Sequence, residues 1–471
     1  MEGPFYHRGY KGSTILSCLQ SSAAALFLIL LLFGCSSTAG TRREETLPPP
    51  PYEQIGESIQ AGDPQTALRL LRGYMEAHAD AQIDRLLLAR LLMAAGHIEE
   101  ARIQLSVQID ESGPTAELLI TLAHLEQISG NSGRQRVLLE RALELDANHP
   151  EVLAALAALH MEAEEYEQAA RLFEHALQID PRQPAALRGT ALLFLKRQDY
   201  EESVRLFDRA VEAEPDNALN YSDRARGRAA LKDRSGAVQD LSTAIELDPD
   251  FYWNYLDRAR HYLTLHRWEE AEADLNRAIQ IDPDLFLAYA YRAGLYDRLE
   301  RRAEAISDYE RVLELKQEYV FAHAPLAVLH YLEENFGEAA DAFRQAYVHE
   351  PEQPSYALLA ALSWMQIGEQ GKAAEYLNGR LGDFAPESWP VLVARFYLNP
   401  ALESRTIAAA NGEQNKLTRA RMLFFIASRL LLEGRVETAL RYLLLVTEVE
   451  RRDLAEKRIA AQLLGSFGME D

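Results

Sequence analysis

The segment NYLDRARHYL, residues 254–263, carries two arginines two positions apart. On an α-helix of about 3.6 residues per turn, this separation places Arg258 and Arg260 roughly 200° apart, on opposite faces. An arginine that faces a helical interior needs a charged partner there, whereas an arginine that faces solvent can contact another molecule. The two guanidinium groups therefore have different functions. Which arginine faces the interior depends on how the helix packs against its neighbours.

Small residues and prolines recur along the chain at intervals of 34 residues. One uninterrupted series consists of Ala89, Ala123, Ala157, Ala191, Ala225, Ala259, Ala293, Ala327 and Ala361. Three further series share this interval: Ala169, Ser203, Ala237, Ala271, Ala305, Ala339 and Ala373; Ala176, Ala210, Ala244, Ala278, Val312 and Ala346; and Pro181, Pro215, Pro249, Pro283 and Pro351. A fixed period of this length indicates an array of repeated supersecondary units.

Each repeat is predicted to be a hairpin of two helices. With Tyr252 as position 1 of its repeat, positions 4, 8 and 11 form one apolar face at helical spacing, and positions 20, 24 and 27 form a second. Small residues at positions 8 and 20 allow the two helix axes to approach closely, and the proline at position 32 ends the second helix.

This pattern resembles the tetratricopeptide repeat (TPR), as in YWNYLDRARHYLTLHRWEEAEADLNRAIQIDPDL, residues 252–285. The resemblance is clear over residues 82–377, within an array that extends over residues 52–381. It implies an all-α fold, a right-handed α-solenoid of stacked TPR helical hairpins whose first helices line a concave groove.

Residues 382–471 are predicted to form a degenerate TPR-like helical region that caps the solenoid. The segment GDFAPESWP interrupts the repeat frame, which returns imperfectly over residues 420–451 with Ala427, Gly434 and Ala439. The segments SWPVLVARFYL and MLFFIASRLLLEGRVETALRYLLLV also look like the end of enterobacterial outer-membrane TPR lipoproteins that act as adaptors for periplasmic proteolysis and cell-wall hydrolases. A shared way of capping a solenoid would also account for that similarity.

Position 7 carries an arginine in three successive repeats, on the face that meets the second helix. Each of these repeats has an aspartate at position 23, and the neighbouring repeats without the arginine also lack the aspartate. The predicted structural ion pairs are Arg224 with Asp240, Arg258 with Asp274, and Arg292 with Asp308. Such pairs are expected to fix the packing of each hairpin more than to add net stability.

Positions 2, 5, 6, 9 and 12 of the first helices face the expected groove. Arginines and large aromatic residues, which dominate the energetics of protein interfaces, recur there. They predict a protein-binding groove formed by Arg188, Arg226, Trp253, Arg260, Tyr291 and Phe321. The alternative is a solvated face whose aromatic residues pack on the next repeat.

The N-terminal segment resembles a bacterial lipoprotein signal. Arg8 and Lys11 precede the apolar run AAALFLILLLFG, which is too short to span a bilayer. Leu32, Gly34 and Cys35 match the residues around the cleavage site in that family. The resemblance implies a signal peptide over residues 1–34, lipidation of Cys35, a Pro-rich tether over residues 35–51, and an outer-membrane protein that faces the periplasm. An ordinary signal peptide with an incidental Cys35 is the alternative.

The chain is strongly acidic, with a formal charge of −23. Such a charge repels phosphate backbones and disfavours nucleic-acid binding. No cysteine follows Cys35, so no intramolecular disulfide is expected. The twelve histidines lack the spacing of metal ligands, and no HExxH, GxSxG or phosphate-loop motif occurs.

These observations predict a non-enzymatic TPR scaffold or adaptor lipoprotein that binds protein or peptide partners on the periplasmic side of the bacterial envelope. No cofactor, metal or small-molecule substrate is expected. The main alternative is a structural subunit of a fixed envelope machine, either pilotin-like or a component of outer-membrane assembly. An enzyme is the third hypothesis.

Overall fold

A computed structural model of the chain describes residues 50–78, 84–451 and 454–469. Over these ranges the regular structure consists of 25 α-helices and three short 3-10 turns, which confirms the predicted all-α array of hairpins. The predicted signal peptide, Cys35 and most of the predicted tether lie outside the described residues. Within the described part of the chain, no helix has both the length and the apolar character needed to cross a bilayer.

The chain divides into two compact units, residues 1–265 and 266–471. In the described part of the first unit the helices are α1 (Tyr52–Gln60), α2 (Pro64–Ala77), α3 (Arg85–Ala94), α4 (Ile98–Ser112), α5 (Ala116–Ile128), α6 (Ser132–Leu145), α7 (Pro150–Glu162), α8 (Tyr166–Ile179), α9 (Pro184–Lys196), α10 (Tyr200–Ala213), α11 (Ala218–Ala230), α12 (Arg234–Leu247) and α13 (Tyr252–Thr264).

In the described part of the second unit the helices are α14 (Trp268–Ile281), α15 (Phe286–Arg298), α16 (Arg302–Leu315), α17 (His323–Leu332), α18 (Phe336–His349), α19 (Pro354–Gln366), α20 (Gln370–Arg380), α21 (Trp389–Leu398), α22 (Glu403–Gly412), α23 (Lys416–Leu432), α24 (Val436–Thr447) and α25 (Ala455–Ser466). The 3-10 turns are Val320–Ala322, Leu381–Asp383 and Pro400–Leu402.

The hairpin of α11 and α12 shows why these residues form pairs of packed helices. Ala225 at position 8 and Ala237 at position 20 are almost fully buried, so the helices approach each other across two methyl groups. Asp233 begins the second helix, because its side chain accepts a hydrogen bond of 2.9 Å from the backbone N–H of Gly236.

The turn between the two helices of a repeat contains a left-handed residue at position 15. The backbone φ is +82° at Gly96 and +80° at Gly368. Non-glycine residues hold φ values of +57° to +65° at the same position in six other repeats, namely Glu164, Gln198, Lys232, His266, Glu300 and Glu334. Glycine adopts this conformation without steric cost, whereas residues with a Cβ do not. The repeat therefore imposes the turn even where the side chain opposes it.

The hydrophobic cores of the two units differ in extent. In the first unit the described apolar clusters are separate, and each is limited to a few neighbouring helices. The second unit has two small clusters of this kind and one large cluster, which extends from Ala327 to Leu464 and joins repeats to the C-terminal helices. The pair α23 and α24 restores the repeat geometry within this core: Ala427 and Ala439 are fully buried, and Gly434 is left-handed.

Candidate functional site

The predicted pair of Arg224 with Asp240 is present as a bidentate contact. The Nε and Nη2 groups of Arg224 donate to the two carboxylate oxygens of Asp240 at 2.9 and 2.6 Å. Its Nη1 group donates at 2.8 Å to Asp208, a residue of the preceding repeat. Burial lowers the pKa of Arg224, but the hydrogen bonds to the two carboxylates outweigh burial and raise it. The pair therefore binds one hairpin together and joins it to its neighbour.

Arg292 repeats this arrangement in the second unit. Its Nε and Nη2 groups donate to Asp308 at 2.7 and 2.8 Å, and its Nη1 group donates at 2.6 Å to the side-chain oxygen of Asn276. The rings of Tyr289 and Tyr296 lie 5.4 and 5.6 Å from the guanidinium carbon. The hydrogen bonds to Asp308 raise the pKa of Arg292 against the opposing effect of burial.

Arg258 donates from Nη1 to the hydroxyl of Ser242 at 2.9 Å, and its guanidinium carbon lies 6.0 and 5.7 Å from the rings of Tyr255 and Tyr262. Its predicted partner, Asp274, is buried in the second unit. Because the two residues belong to different units, this ion pair stays a prediction. The polar partner at position 25 of the preceding repeat was not predicted. The series Asp208, Ser242 and Asn276 has the 34-residue spacing that could have identified it from sequence.

Two of the predicted groove arginines share one buried carboxylate. The Nε group of Arg188 donates to Asp223 at 2.9 Å, and the Nη1 group of Arg226 donates to the other oxygen of the same carboxylate at 3.3 Å. The Asp223 side chain is only 2% exposed, whereas that of Arg226 is 41% exposed. A buried aspartate at position 6 thus holds two arginines of adjacent repeats at the surface.

Arg260 has a similar support one repeat later. Its Nη1 group donates to the carboxylate of Asp257 at 3.0 Å, and 49% of its side chain is exposed. Trp253, at position 2 of the same helix, is partly buried, and its ring centroid lies 5.3 Å from that of Tyr252. The aspartates at position 6 were missed by sequence analysis, which considered partners at position 23 only.

The two remaining groove candidates lie in the second unit. Tyr291 is partly buried on α15, near Tyr319, whose pKa is raised by burial and by Tyr291. Phe321 is 53% exposed and belongs to a 3-10 turn, where its ring meets Tyr319 edge-on at 5.6 Å. The candidate site of the first unit therefore consists of Arg188, Arg226, Trp253 and Arg260, together with their aspartates, and we call it the arginine surface.

The sequence of the chain places it in a known family. Residues 58–345 match the profile of the ETO1 C-terminal domain. The chain belongs to the ETO1 C-terminal domain family. Residues 325–386 match a tetratricopeptide repeat profile, in agreement with the repeat frame. No curated protein matches the chain.

Similar solved structures were found at low sequence identity. Pseudomonas aeruginosa pilF is 19% identical over 43% of this chain and 92% of its own, with a TM-score of 0.40. A tetratricopeptide repeat protein from Parabacteroides merdae is 20% identical over 51% of this chain and 94% of its own, with a TM-score of 0.37. MamA from Desulfovibrio magneticus is 16% identical over 36% of this chain and 96% of its own, with a TM-score of 0.31.

In this member of the ETO1 C-terminal domain family, the helix face that carries the arginine surface has acidic residues in earlier repeats. Glu117 and Glu151 are exposed at position 2 of α5 and α7, and Arg90 donates to Glu117 at 3.0 Å. Burial lowers the pKa of His124, at position 9 of α5, and the Glu151 carboxylate partly offsets this effect. Between the acidic residues and the arginine surface, positions 12 and 9 carry the partly buried apolar side chains Met161, Leu192 and Leu195.

Among the described residues, no group of three or more His, Cys, Asp or Glu side chains is arranged to hold a metal ion. The described site is a helix face whose successive repeats carry acidic, then apolar, then basic side chains. Such a face is suited to binding another polypeptide through charge complementarity and apolar contact.

Proposed function

We propose that this chain is a non-enzymatic, lipid-anchored scaffold that docks acidic segments of protein partners on the arginine surface, at the periplasmic side of the bacterial outer membrane. Tetratricopeptide repeats serve in general as protein-interaction scaffolds, and the chain carries such repeats over most of its length. The proposal adds a surface, a charge preference and a cellular location to that general role.

The shared carboxylate of Asp223 is the observation that carries the docking proposal. It fixes Arg188 and Arg226 before any partner arrives, so less side-chain entropy is lost when they bind. Both guanidinium groups contact the same carboxylate, which brings two cationic side chains together on a chain whose overall charge is −23. Carboxylates of a partner would meet donors that are already in place.

The lipid anchor is supported by Leu32, Gly34 and Cys35 at the end of the N-terminal apolar run. Cys35→Ala should abolish lipid labelling and move the protein from the membrane fraction to the soluble fraction. A variant that stays with the membrane after a carbonate wash would exclude lipidation of Cys35 as the anchor. This experiment does not depend on the partner.

The docking proposal is tested by site-specific photocrosslinking in cells. A photoreactive amino acid replaces Ala158 or Val137. Ala158 is exposed at position 9 of α7, a helix that contacts the helix of Arg188 and so borders the arginine surface. Val137 is 62% exposed on the second helix α6 and serves as the control. Crosslinks to substoichiometric partners from position 158 but not from position 137 would support the scaffold.

Other crosslinking results would change the proposal. One partner in fixed stoichiometry would favour a structural subunit of an envelope machine. Equal labelling from positions 158 and 137 would place the interaction elsewhere on the molecule.

A further inference from the structure

The last helix of the chain, α25, lies against the first helices of the second unit. The Nη2 and Nη1 groups of Arg458 donate to the two carboxylate oxygens of Asp297 at 2.6 and 3.1 Å. Asp297 is at position 12 of α15, on the face that the repeat frame assigns to the groove. The two residues are 161 positions apart in the chain, so this contact is not part of the repeat pattern.

Two further residues of α25 make polar contacts with successive repeats. The side-chain amide of Gln462 donates to the backbone carbonyl of Leu332, at the end of α17, at 2.6 Å, and its oxygen accepts from Arg302 at 2.8 Å. Glu456 accepts a hydrogen bond from the hydroxyl of Ser355, at position 2 of α19, and lies 3.5 Å from Arg421. The helix thus contacts α15, α17 and α19 through Arg458, Gln462 and Glu456 in turn.

The apolar side of α25 completes the contact. Ile459, Ala460 and Leu464 are at most 2% exposed and belong to the large core cluster of the second unit. Groove-facing positions of α17 and α19 belong to the same cluster and are at most 5% exposed, namely Val328, Tyr331, Leu358, Leu362 and Met365. In the first unit, Ala158, Arg226 and Arg260 at position 9 are exposed.

Three properties of α25 bear on how firmly it is held: its length, the exposure of its ion pair and its buried carboxylate. A helix of 12 residues is marginal in water on its own, so α25 depends on this surface for its structure. Arg458 and Asp297 are 29% and 17% exposed, so water and competing charges can reach their ion pair. Glu456 is buried, and desolvation raises its pKa, which opposes docking of the ionised side chain.

We infer that the groove-facing surface of the second unit is a binding site for an amphipathic helix, and that α25 is its resident internal ligand. The recognised pattern is Glu-x-Arg-x-x-x-Gln, with apolar residues one, two and six positions after the arginine. Bound α25 closes this surface to other helices, and its release opens it. The inference concerns the second unit only and is independent of the arginine surface.

The test uses the full-length chain and a fluorescent peptide with the sequence of residues 454–469. In the Arg458→Glu chain, α25 is expected to be released, because a glutamate at position 458 would repel Asp297. The peptide still carries arginine at position 458 and can restore the ion pair with Asp297. The peptide should bind this chain at least tenfold more tightly than the wild-type chain. Arg441→Glu is the matched control, because Arg441 is 71% exposed on α24 and pairs only within that helix in the described contacts.

A second variant reverses the specificity. The Asp297→Arg chain should also release α25, but it should bind a peptide carrying glutamate at position 458 at least tenfold more tightly than the peptide with arginine. The double variant Asp297→Arg, Arg458→Glu should close the surface again and bind neither peptide.

Hydrogen exchange on the same variants completes the test. In both single variants, faster exchange should be confined to residues 455–466 and should return to the wild-type rate in the double variant. Three results would overturn the inference: unchanged protection of α25 in both single variants, release of α25 without peptide binding, or simultaneous loss of protection in α15, α17 and α19. The last result would make α25 an integral part of the core instead of a ligand.

Discussion

The groove-facing positions of the first helices differ in exposure between the two units. In the first unit, Ala158, Arg226 and Arg260 at position 9 are exposed, and the two arginines contact buried or partly buried aspartates. In the second unit, Val328 and Leu362 at the same position are buried in the core that α25 completes. The repeat therefore determines which residues face the groove, but contacts from outside the repeat determine whether that face is available.

The hydrophobic cores of the two units also differ. Separate clusters in the first unit imply that each repeat depends mainly on its neighbours, as expected for a quasi-one-dimensional array. The continuous cluster of the second unit links residues that are far apart in sequence, so α17–α24 should lose structure together, whereas α25 is the helix that can be released separately.

A matched pair of core truncations should show the greatest contrast. Phe207 in the first unit and Phe425 in the second are both fully buried. Each Phe→Ala change should lower the free energy of unfolding by about 3–5 kcal/mol. Hydrogen exchange should rise only in the helices around α10 for Phe207→Ala, but throughout α17–α25 for Phe425→Ala. Loss of protection across the whole first unit in the Phe207→Ala chain would contradict the separation of its cores.

Removing the aspartate of an interior ion pair should cost different amounts of stability in the two units. Asp308→Ala leaves Arg292 with the neutral amide of Asn276 and should cost about 3 kcal/mol. Asp240 also contacts Arg228 at 3.0 Å, so its truncation is made in an Arg228→Ala background. There, Asp240→Ala should cost less than Asp308→Ala, because Asp208 still neutralises Arg224. Chemical denaturation measures both values. Replacing both Arg292 and Asp308 by leucine should recover most of the loss, and equal costs for the two aspartate changes would show that Asp208 contributes nothing.

Acid should destabilise the second unit through His330. Burial lowers the pKa of this histidine, although Glu310 and Glu338 oppose the shift. Because the unfolded chain then binds a proton more readily, stability is present above the unfolded pKa of about 6.5 and is lost as pH falls below it. Between pH 7.5 and 5, wild-type protein should lose more stability than His330→Leu in denaturation experiments. Parallel pH profiles would exclude this contribution.

The smallest effect should come from the turns. Gln198→Gly in the first unit and Glu334→Gly in the second replace left-handed residues with φ of +63° and +59°. Each change should stabilise its unit by about 0.5 kcal/mol, since relief of the steric cost exceeds the entropy that glycine loses on folding. Thermal melting is sensitive enough to detect this gain, and a lower melting temperature in both variants would show that the side chains compensate for the strained turn.

The hairpins could be predicted from sequence because they depend on contacts within one repeat. Ala225 and Ala237 meet in the same hairpin, and Arg224 pairs with Asp240 sixteen residues later, so both contacts recur in a fixed frame. The contact of Arg188 with Asp223 crosses between repeats at a distance of 35 residues and was missed. It joins different positions of two repeats, which a search for identical positions does not reveal.

Contacts outside the period could not be predicted. The sequence indicated a helical C-terminal region, but nothing in it assigned Arg458 to Asp297, because a single long-range pair leaves no repeated pattern. Phe321 was expected on a first helix. Instead α17 begins at His323, since Pro325 has no backbone N–H to donate to the Phe321 carbonyl and is tolerated only in the first turn.

Partner capture with two variants of the full-length chain, compared at equal folded content, distinguishes a binding surface in the first unit from one in the second. One lacks three side chains of the arginine surface, through Trp253→Ala, Arg226→Ala and Arg260→Ala together. The other carries Tyr291→Ala and Phe321→Ala in the second unit. We expect the triple variant to lose at least tenfold in affinity for the partner crosslinked from position 158 while its melting temperature stays near that of the wild type, and the second variant to bind normally. Normal capture by the well-folded triple variant, or loss of capture only in the second variant, would contradict the assignment of the binding surface to the first unit.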